Sequence, residues 1–329
     1  MRKLISLAAV AALAISLAGC STSEQQQPAA YQGVKSLCEP FNPGPVADQI
    51  KVTLHKNAAP SVNFPTPLSA PKSQSAIVDE GNGPIFTGGE MLDFEYMGFN
   101  AATGKSFQSS KWNGTDFATQ LIANPVDKTA TNFCHALTGA RQGSTVAIIF
   151  DSKEGHGNKP IPQLGINAHD SIVFVIKLLK VFLPRANGDA EFPKDGFPQV
   201  SLAPNGQPGL TMQDWSVASA PKEFQAETLI KGRGAQVKLG QTVTVHYSGF
   251  VWSPTHNMFD SSWDKGTPAQ FALKKGALIP GFIKAIEGQT VGSQVVAVMP
   301  PKDAYQNQAT GSIPAGSTLI FVIDILGAN

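Results

Sequence analysis

The residues with the most chemical potential lie in the second half of the chain, and most of them are unreactive. Tyr247, Phe259, Leu278, Ile279, Phe282, Tyr305, Ile313 and Phe321 fall at the ends of apolar segments, with a single acid, Asp260, directly beside Phe259. An apolar pocket with very few polar groups suits an uncharged ligand. Reactive constellations are missing: no GxSxG elbow occurs, and the six histidines show neither HxH nor HExxH spacing. Gly232-Arg-Gly234 lacks the third glycine of a dinucleotide loop and precedes a strand, so a turn is the better reading. No metal site and no cofactor are expected. The chemistry that remains works by shape within a thin polar frame.

These residues need strands and a helix to converge. Val243, Val245 and Tyr247 recur at period two, as do Phe321, Ile323 and Ile325, which predicts two strands. Pro280 opens a short helix that carries Phe282 and Ile286 one turn apart and stops at Gly288. The first half of the chain repeats the plan. Met91-Leu-Asp-Phe-Glu-Tyr-Met-Gly98 answers Val243 to Gly249, Ser106-Phe-Gln-Ser-Ser110 answers Met258-Phe-Asp-Ser-Ser262, and Ser171-Ile-Val-Phe-Val-Ile-Lys177 answers Thr318 to Asp324. Phe133 and Leu137, before Gly139, repeat the helix. Two homologous domains explain this order better than one large fold. Several antiparallel strands with one short helix make each an α+β unit, a half-wrapped sheet over a helix.

The chain has 329 residues, a length suited to two domains. Its formal net charge is +1 and no basic run stands out, so no nucleic-acid partner is expected. Arg2 and Lys3 precede an apolar stretch from Leu4 to Ala18, too short for a comfortable membrane span, which ends on Leu17-Ala-Gly-Cys20. This resembles a bacterial lipobox, which implies cleavage before Cys20 and lipid attachment there; an ordinary cleavage site with an incidental cysteine is the alternative. A signal peptide over 1–19 and a flexible tether over 20–45 follow, then domain one over 46–185 and domain two over 186–329. Val46 to Thr53 reads as an opening strand, Pro60 to Pro71 as loop or edge, and Pro184 to Gly209 as a linker passing into the first, irregular strand of domain two. In an oxidising compartment Cys38 and Cys134 form an even pair. They are expected to form a disulfide that joins the N-terminal segment to domain one; two separate buried thiols are the alternative.

The second-half pattern resembles the FKBP-type peptidyl-prolyl cis/trans isomerases. The resemblance rests on His246-Tyr-Ser-Gly249, Phe259-Asp-Ser-Ser262, Leu278-Ile-Pro-Gly-Phe282, Tyr305, Ile313-Pro314 and Phe321. It covers about Leu229 to Leu326 well and Ile77 to Leu179 more weakly. It implies that Tyr247, Phe259, Asp260, Ile279, Phe282, Tyr305 and Phe321 form the catalytic pocket, with Leu278 and Ile313 binding substrate. Phe282 stands where a Trp is usual, and Ala269 where many members carry an aromatic. The implied partners are proline-containing exported polypeptides and macrolide inhibitors of this class. The membrane is reached only through the lipid.

Domain one keeps Tyr96, Phe107, Phe133 and Phe174, and Phe117 supplies the aromatic that Ala269 lacks. Gln108 replaces the acid, His156 the loop tyrosine, and Thr129-Ala130 two aliphatics. A preserved fold with a compromised pocket is expected. Two functions therefore stand: an extracytoplasmic isomerase assisting the folding of exported proteins, with activity in domain two, or a non-catalytic chaperone or adaptor that grips clients.

Overall fold

The computed structural model describes residues 36, 38–122, 132–211, 216–255 and 257–329. Domain one contains β1 (Lys51–His55), β2 (Ala58–Asn63), β3 (Gln74–Asp79), β4 (Met91–Asn100), β5 (Ser106–Ser109), β6 (Ala118–Leu121), α1 (Phe133–Leu137), β7 (Thr145–Phe150), α2 (Ser152–His156) and β8 (Ile172–Val181). Domain two contains β9 (Asp189–Ala190), β10 (Gln199–Leu202), β11 (Pro208–Thr211), β12 (Gln225–Lys231), β13 (Thr242–Val251), β14 (Met258–Ser261), β15 (Ala269–Ala272), α3 (Pro280–Ile286), β16 (Gln294–Met299) and β17 (Leu319–Ala328).

Both main sheets are antiparallel and share one strand order. Domain one runs β3-β7-β8-β4-β5 with β6 also on β4; domain two runs β12-β16-β17-β13-β14 with β15 also on β13 and β9 beyond β12. Even the irregularities repeat. Bulges fall between Ile77 and Asp79, Asp93 and Phe94, and Gly98 and Phe99, and their counterparts fall between Thr228 and Ile230, Thr244 and Val245, and Gly249 and Phe250. Bulges redirect strands locally, so three at matching positions mark one architecture used twice.

Each sheet is buried on both faces, which explains the unbroken apolar runs of its central strands. In domain two Val245, Val295, Ala297, Phe321 and Ile323 face α3 with Phe282 and Ile286. On the opposite face Phe250, Trp252, Val296, Val298, Ile320 and Val322 are covered by Phe197, Val200 and Leu210. The passage read as a linker, Pro184 to Gly209, thus supplies β9 and most of the β10–β11 hairpin, and this hairpin shields the outer face. Domain one solves the same problem with Ile50, Val52, Val62, Phe64 and Leu68, which cover Phe99, Ile149 and Val173. Burying each such side chain contributes roughly 1.5–3 kcal/mol.

Some sequence expectations shift. The opening strand begins at Lys51, after a 3₁₀ turn at Ala47–Gln49, and Pro60 lies inside β2. In a two-stranded ribbon, half of the backbone N–H groups need no strand partner, so proline fits there. Domain one holds a second helix, α2, that the apolar pattern did not announce. It is fixed by polar caps: the Asp151 carboxylate accepts from the N–H groups of Lys153 and Glu154, and Gly157 closes it at φ 65°. The sequence placed residues 38–45 in the tether, but Cys38 is disulfide-bonded to Cys134 with Cα atoms 5.9 Å apart. The Phe41 N–H donates to the His135 carbonyl, and the Phe41 ring lies 5.8 Å from that of Phe150. Cys20 lies outside the described residues.

The segment between the domains is hydrogen-bonded along domain two. Leu183 N–H donates to the Leu326 carbonyl, Asn187 N–H to that of Gly292, and Ala186 N–H to the Asp324 carboxylate at 2.8 Å. Asp324 also accepts from the Gln294 amide at 2.7 Å. Burial pushes its carboxyl up to about 6, against the Ala186, Gln294 and Arg185 interactions that favour the anion. From the C-terminal side, Lys180 Nζ donates to the Ala328 carbonyl and the Asn329 amide to Asp93.

Candidate functional site

Five elements of domain two and two connecting segments converge on one cavity of about 580 Å³. β13 brings Tyr247, β14 brings Phe259 and Asp260, β15 brings Phe271, the lead into α3 brings Leu278 and Ile279, α3 itself brings Phe282, and β17 brings Phe321. Tyr305 closes the ring from the loop after β16. The rings meet edge to face: Phe282 and Phe321 centroids lie 5.4 Å apart at 85°, Phe259 and Phe321 5.5 Å at 80°, and Tyr247 and Phe282 6.1 Å at 88°. Such geometry sets the positive edge of one ring against the negative face of the next. Gly249 permits it. A Cβ at that position would lie 2.6 Å from the Phe259 ring and 2.9 Å from Phe321. The glycine of the His-Tyr-Ser-Gly segment is therefore a steric requirement of the two phenylalanines.

The polar frame is small. The Tyr247 hydroxyl donates to one oxygen of Asp260, and Lys265 Nζ donates to the other at 2.6 Å. Partial burial alone would raise the Asp260 carboxyl, but Lys265 and Tyr247 outweigh it and hold the group below the usual carboxylate range. Burial, then Asp260 itself, pushes the Tyr247 phenol well above its ordinary value. Asp260 is thus an engaged acceptor that fixes the Tyr247 ring. Among the described residues the Tyr305 hydroxyl has no hydrogen-bond partner, and Tyr305 lines the cavity. Beneath the strand, burial lowers His246 to about 4, so it is neutral, stacked on Trp263 at 4.0 Å and joined through Nδ1 to the Ser262 hydroxyl.

Eight of the nine pocket residues read from the sequence line this cavity. Ile313 does not: it is 5% exposed within the domain core. Sequence reading missed Phe271 and Lys265. The Phe271 ring lies 5.5 Å from Phe282 and 6.0 Å from Tyr247, so it supplies an aromatic wall where Ala269 offers none. The signal was the period-two spacing of Ala269 and Phe271 along one strand. Lys265 had no legible signal, because a lone lysine in a turn is ordinary.

Domain one builds the same cradle from different parts. Phe107 and Phe174 lie 5.7 Å apart, Phe133 and Phe174 5.1 Å, and a Cβ at Gly98 would meet Phe107 at 2.6 Å. The Gln108 amide donates to the Tyr96 hydroxyl at 2.8 Å, preserving a link between these positions without the charge. His156 is not a substitute for Tyr305. It is 5% exposed, and its two ring nitrogens lie 2.7 and 2.8 Å from the carbonyls of Lys159 and Asp170. Phe117 does not replace the missing wall: the register pairs Ala118 with Phe94, as it pairs Ala269 with Val245. Phe94 and Phe150 stand where domain two has Val245 and Met299, so further rings fill this core. Thr129 and Ala130 lie outside the described residues.

Two half-wrapped antiparallel sheets, each with an aromatic cradle over a short helix, define an α+β class of ligand-holding domain used in tandem. The family model of the FKBP-type peptidyl-prolyl cis-trans isomerases matches residues 83–179 and 234–326, more than half of the chain, and the chain belongs to that family. It is 36% identical over 115 residues to an FK506-binding protein of Streptomyces anulatus, covering 34% of this chain and 92% of the relative. It is 38% identical over 104 residues to the FKBP-type peptidyl-prolyl cis-trans isomerase FkpA of Aeromonas hydrophila, covering 32% of this chain and 37% of that protein. The solved structure of the three FKBP domains of wheat FKBP73 aligns with 15% identity and a TM-score of 0.35, over 78% of this chain and 94% of that one.

Proposed function

We propose that the chain is a lipid-anchored, extracytoplasmic prolyl isomerase that assists the folding of exported polypeptides, with catalysis in domain two. The observation that carries the reading is the aromatic cavity with one hydroxyl, that of Tyr305, available to a ligand. Rotation about an X-Pro bond meets a barrier of about 18–20 kcal/mol that arises from amide resonance. The planar amide is the more charge-separated form. A pocket that seats the proline ring among Phe259, Phe282 and Phe321 and removes the carbonyl from water favours the twisted amide, and the Tyr305 hydroxyl supplies a hydrogen bond that orients the bound peptide. Each ~1.4 kcal/mol of preference for the twisted form over the planar one is worth tenfold in rate. No bond is broken, so no nucleophile is required.

Domain one, in this reading, holds or positions clients. It keeps the aromatic frame, but Gln108 replaces the charged acceptor and His156 is tied to the backbone. Export is supported by Arg2, Lys3, the apolar stretch and Leu17-Ala-Gly-Cys20, and by a disulfide that suits an oxidising compartment. Mass spectrometry of the mature chain should find a lipidated N-terminus at Cys20; an unmodified start elsewhere refutes the anchor.

Isomerisation of a proline peptide by the full chain tests the activity, with and without a macrolide of the class that FKBPs bind. Acceleration that the macrolide abolishes is expected. Peptide binding without acceleration refutes catalysis in favour of a client-gripping module.

A further inference from the structure

The rim of the cavity is charged on one side. Lys274 and Lys275 directly precede Gly276, Ala277 and Leu278, which line it. A tight turn keeps them there: Ala277 N–H donates to the Lys274 carbonyl, and Lys275 bridges to Leu278. Both lysines are exposed, and among the described residues neither has an acidic partner. Among the described residues the one carboxylate in the cavity lining, Asp260, is already held by Lys265 and Tyr247. The other acid of that turn, Asp264, accepts from Gln207, and Asp303 is paired with Lys284. Residues 186–329 carry ten Lys and Arg against eleven Asp and Glu, so the positive rim is local and not an average of the domain.

We infer that this rim selects polypeptides in which Asp or Glu lies next to the proline. The inference rests on the reading of the cavity as a prolyl site and names the substrate class that site prefers. An acidic side chain beside a seated proline finds two unpaired ammonium groups and no competing anion. A basic one finds only repulsion. Exposed charges act weakly one by one, so two lysines imply about a three- to tenfold preference at low ionic strength, shrinking as salt shortens the screening length.

The experiment measures kcat/KM of the full chain on matched peptides with Glu, Gln or Lys immediately before the proline, and on a second set with the same residues immediately after it. In at least one set Glu should exceed Gln and Gln exceed Lys. The spread should be about threefold or more at ~0.01 M salt and should vanish near ~1 M. The Lys274→Gln/Lys275→Gln variant should bring the Glu-to-Lys ratio close to one with an unchanged thermal midpoint. Equal turnover of all peptides overturns the selection by charge while leaving the isomerase reading intact. A ratio that survives high salt or the double substitution overturns its assignment to these lysines. Failure to accelerate any peptide overturns both readings.

Discussion

The two domains share strand order, bulge positions and an aromatic triangle, yet they differ at the few positions where a ligand would meet a polar atom. Tyr247 faces a carboxylate held by Lys265, whereas Tyr96 faces the Gln108 amide. Tyr305 lines the cavity, whereas His156 is buried with its ring nitrogens against two backbone carbonyls. The difference teaches that the fold tolerates loss of the polar frame, because Phe107, Phe133 and Phe174 still pack as Phe259, Phe282 and Phe321 do.

The comparison breaks most sharply at the central phenylalanines. Phe321→Ala and Phe174→Ala should each destabilise the chain by about 3–5 kcal/mol in denaturant unfolding. Only Phe321→Ala should remove most of the isomerase activity at temperatures where both variants are folded; equal losses would mean that both domains catalyse. Next comes the bond that domain two lacks. Cys38 and Cys134 are 96 residues apart, so replacing both with serine should cost about 2–5 kcal/mol and lower the thermal midpoint of domain one. A midpoint insensitive to reductant would contradict this.

A third test concerns pH. The Asp324 carboxyl is raised in the fold from 3.8 to about 6, so the folded chain holds this proton more tightly than the unfolded one. That contribution is complete below about pH 3.8 and is lost as pH rises through about 6. Relative to Asp324→Asn, the parent chain should therefore lose about 1 kcal/mol of stability between pH 5 and pH 7, read from urea midpoints. Parallel pH profiles would show that the carboxyl is not perturbed. The smallest change in structure is Tyr305→Phe, which should lower kcat/KM about tenfold while leaving the midpoint within a degree or so. The matching His156→Phe change in domain one should leave activity alone and reduce stability, since it removes the ring nitrogens that lie 2.7 and 2.8 Å from the Lys159 and Asp170 carbonyls.

Much of this was legible in the sequence. The strands of Val243 to Tyr247 and Phe321 to Ile325 and the helix from Pro280 announce themselves by period and by proline, and eight of the nine pocket residues converge. What was hidden depends on registers and caps. Pairing of Val245 with Ala269 carries Phe271 to the wall, and no local pattern encodes that pairing. The α2 helix is set by Asp151 and Gly157 rather than by an apolar stripe. The family resemblance of its Ile-Pro pair puts Ile313 in the wall, but its side chain packs in the core and is not among the residues that line the cavity. The Pro- and Gly-rich stretch after Pro184 looked like a linker because hairpin β10–β11 is built from short strands and turns.

One strand, β17, carries both Phe321 on the face toward α3 and, three residues on, Asp324 on the face that receives Ala186 from the interdomain segment. Through hydrogen bonds to β13 on one side and β16 on the other, β17 is clamped along nearly its whole length. Mechanical load entering through domain one thus reaches β17 close to the floor of the cavity. A tension applied along that path would be resisted in shear by many ladder bonds at once rather than by one bond at a time, so the strand that carries Phe321 keeps its register under load.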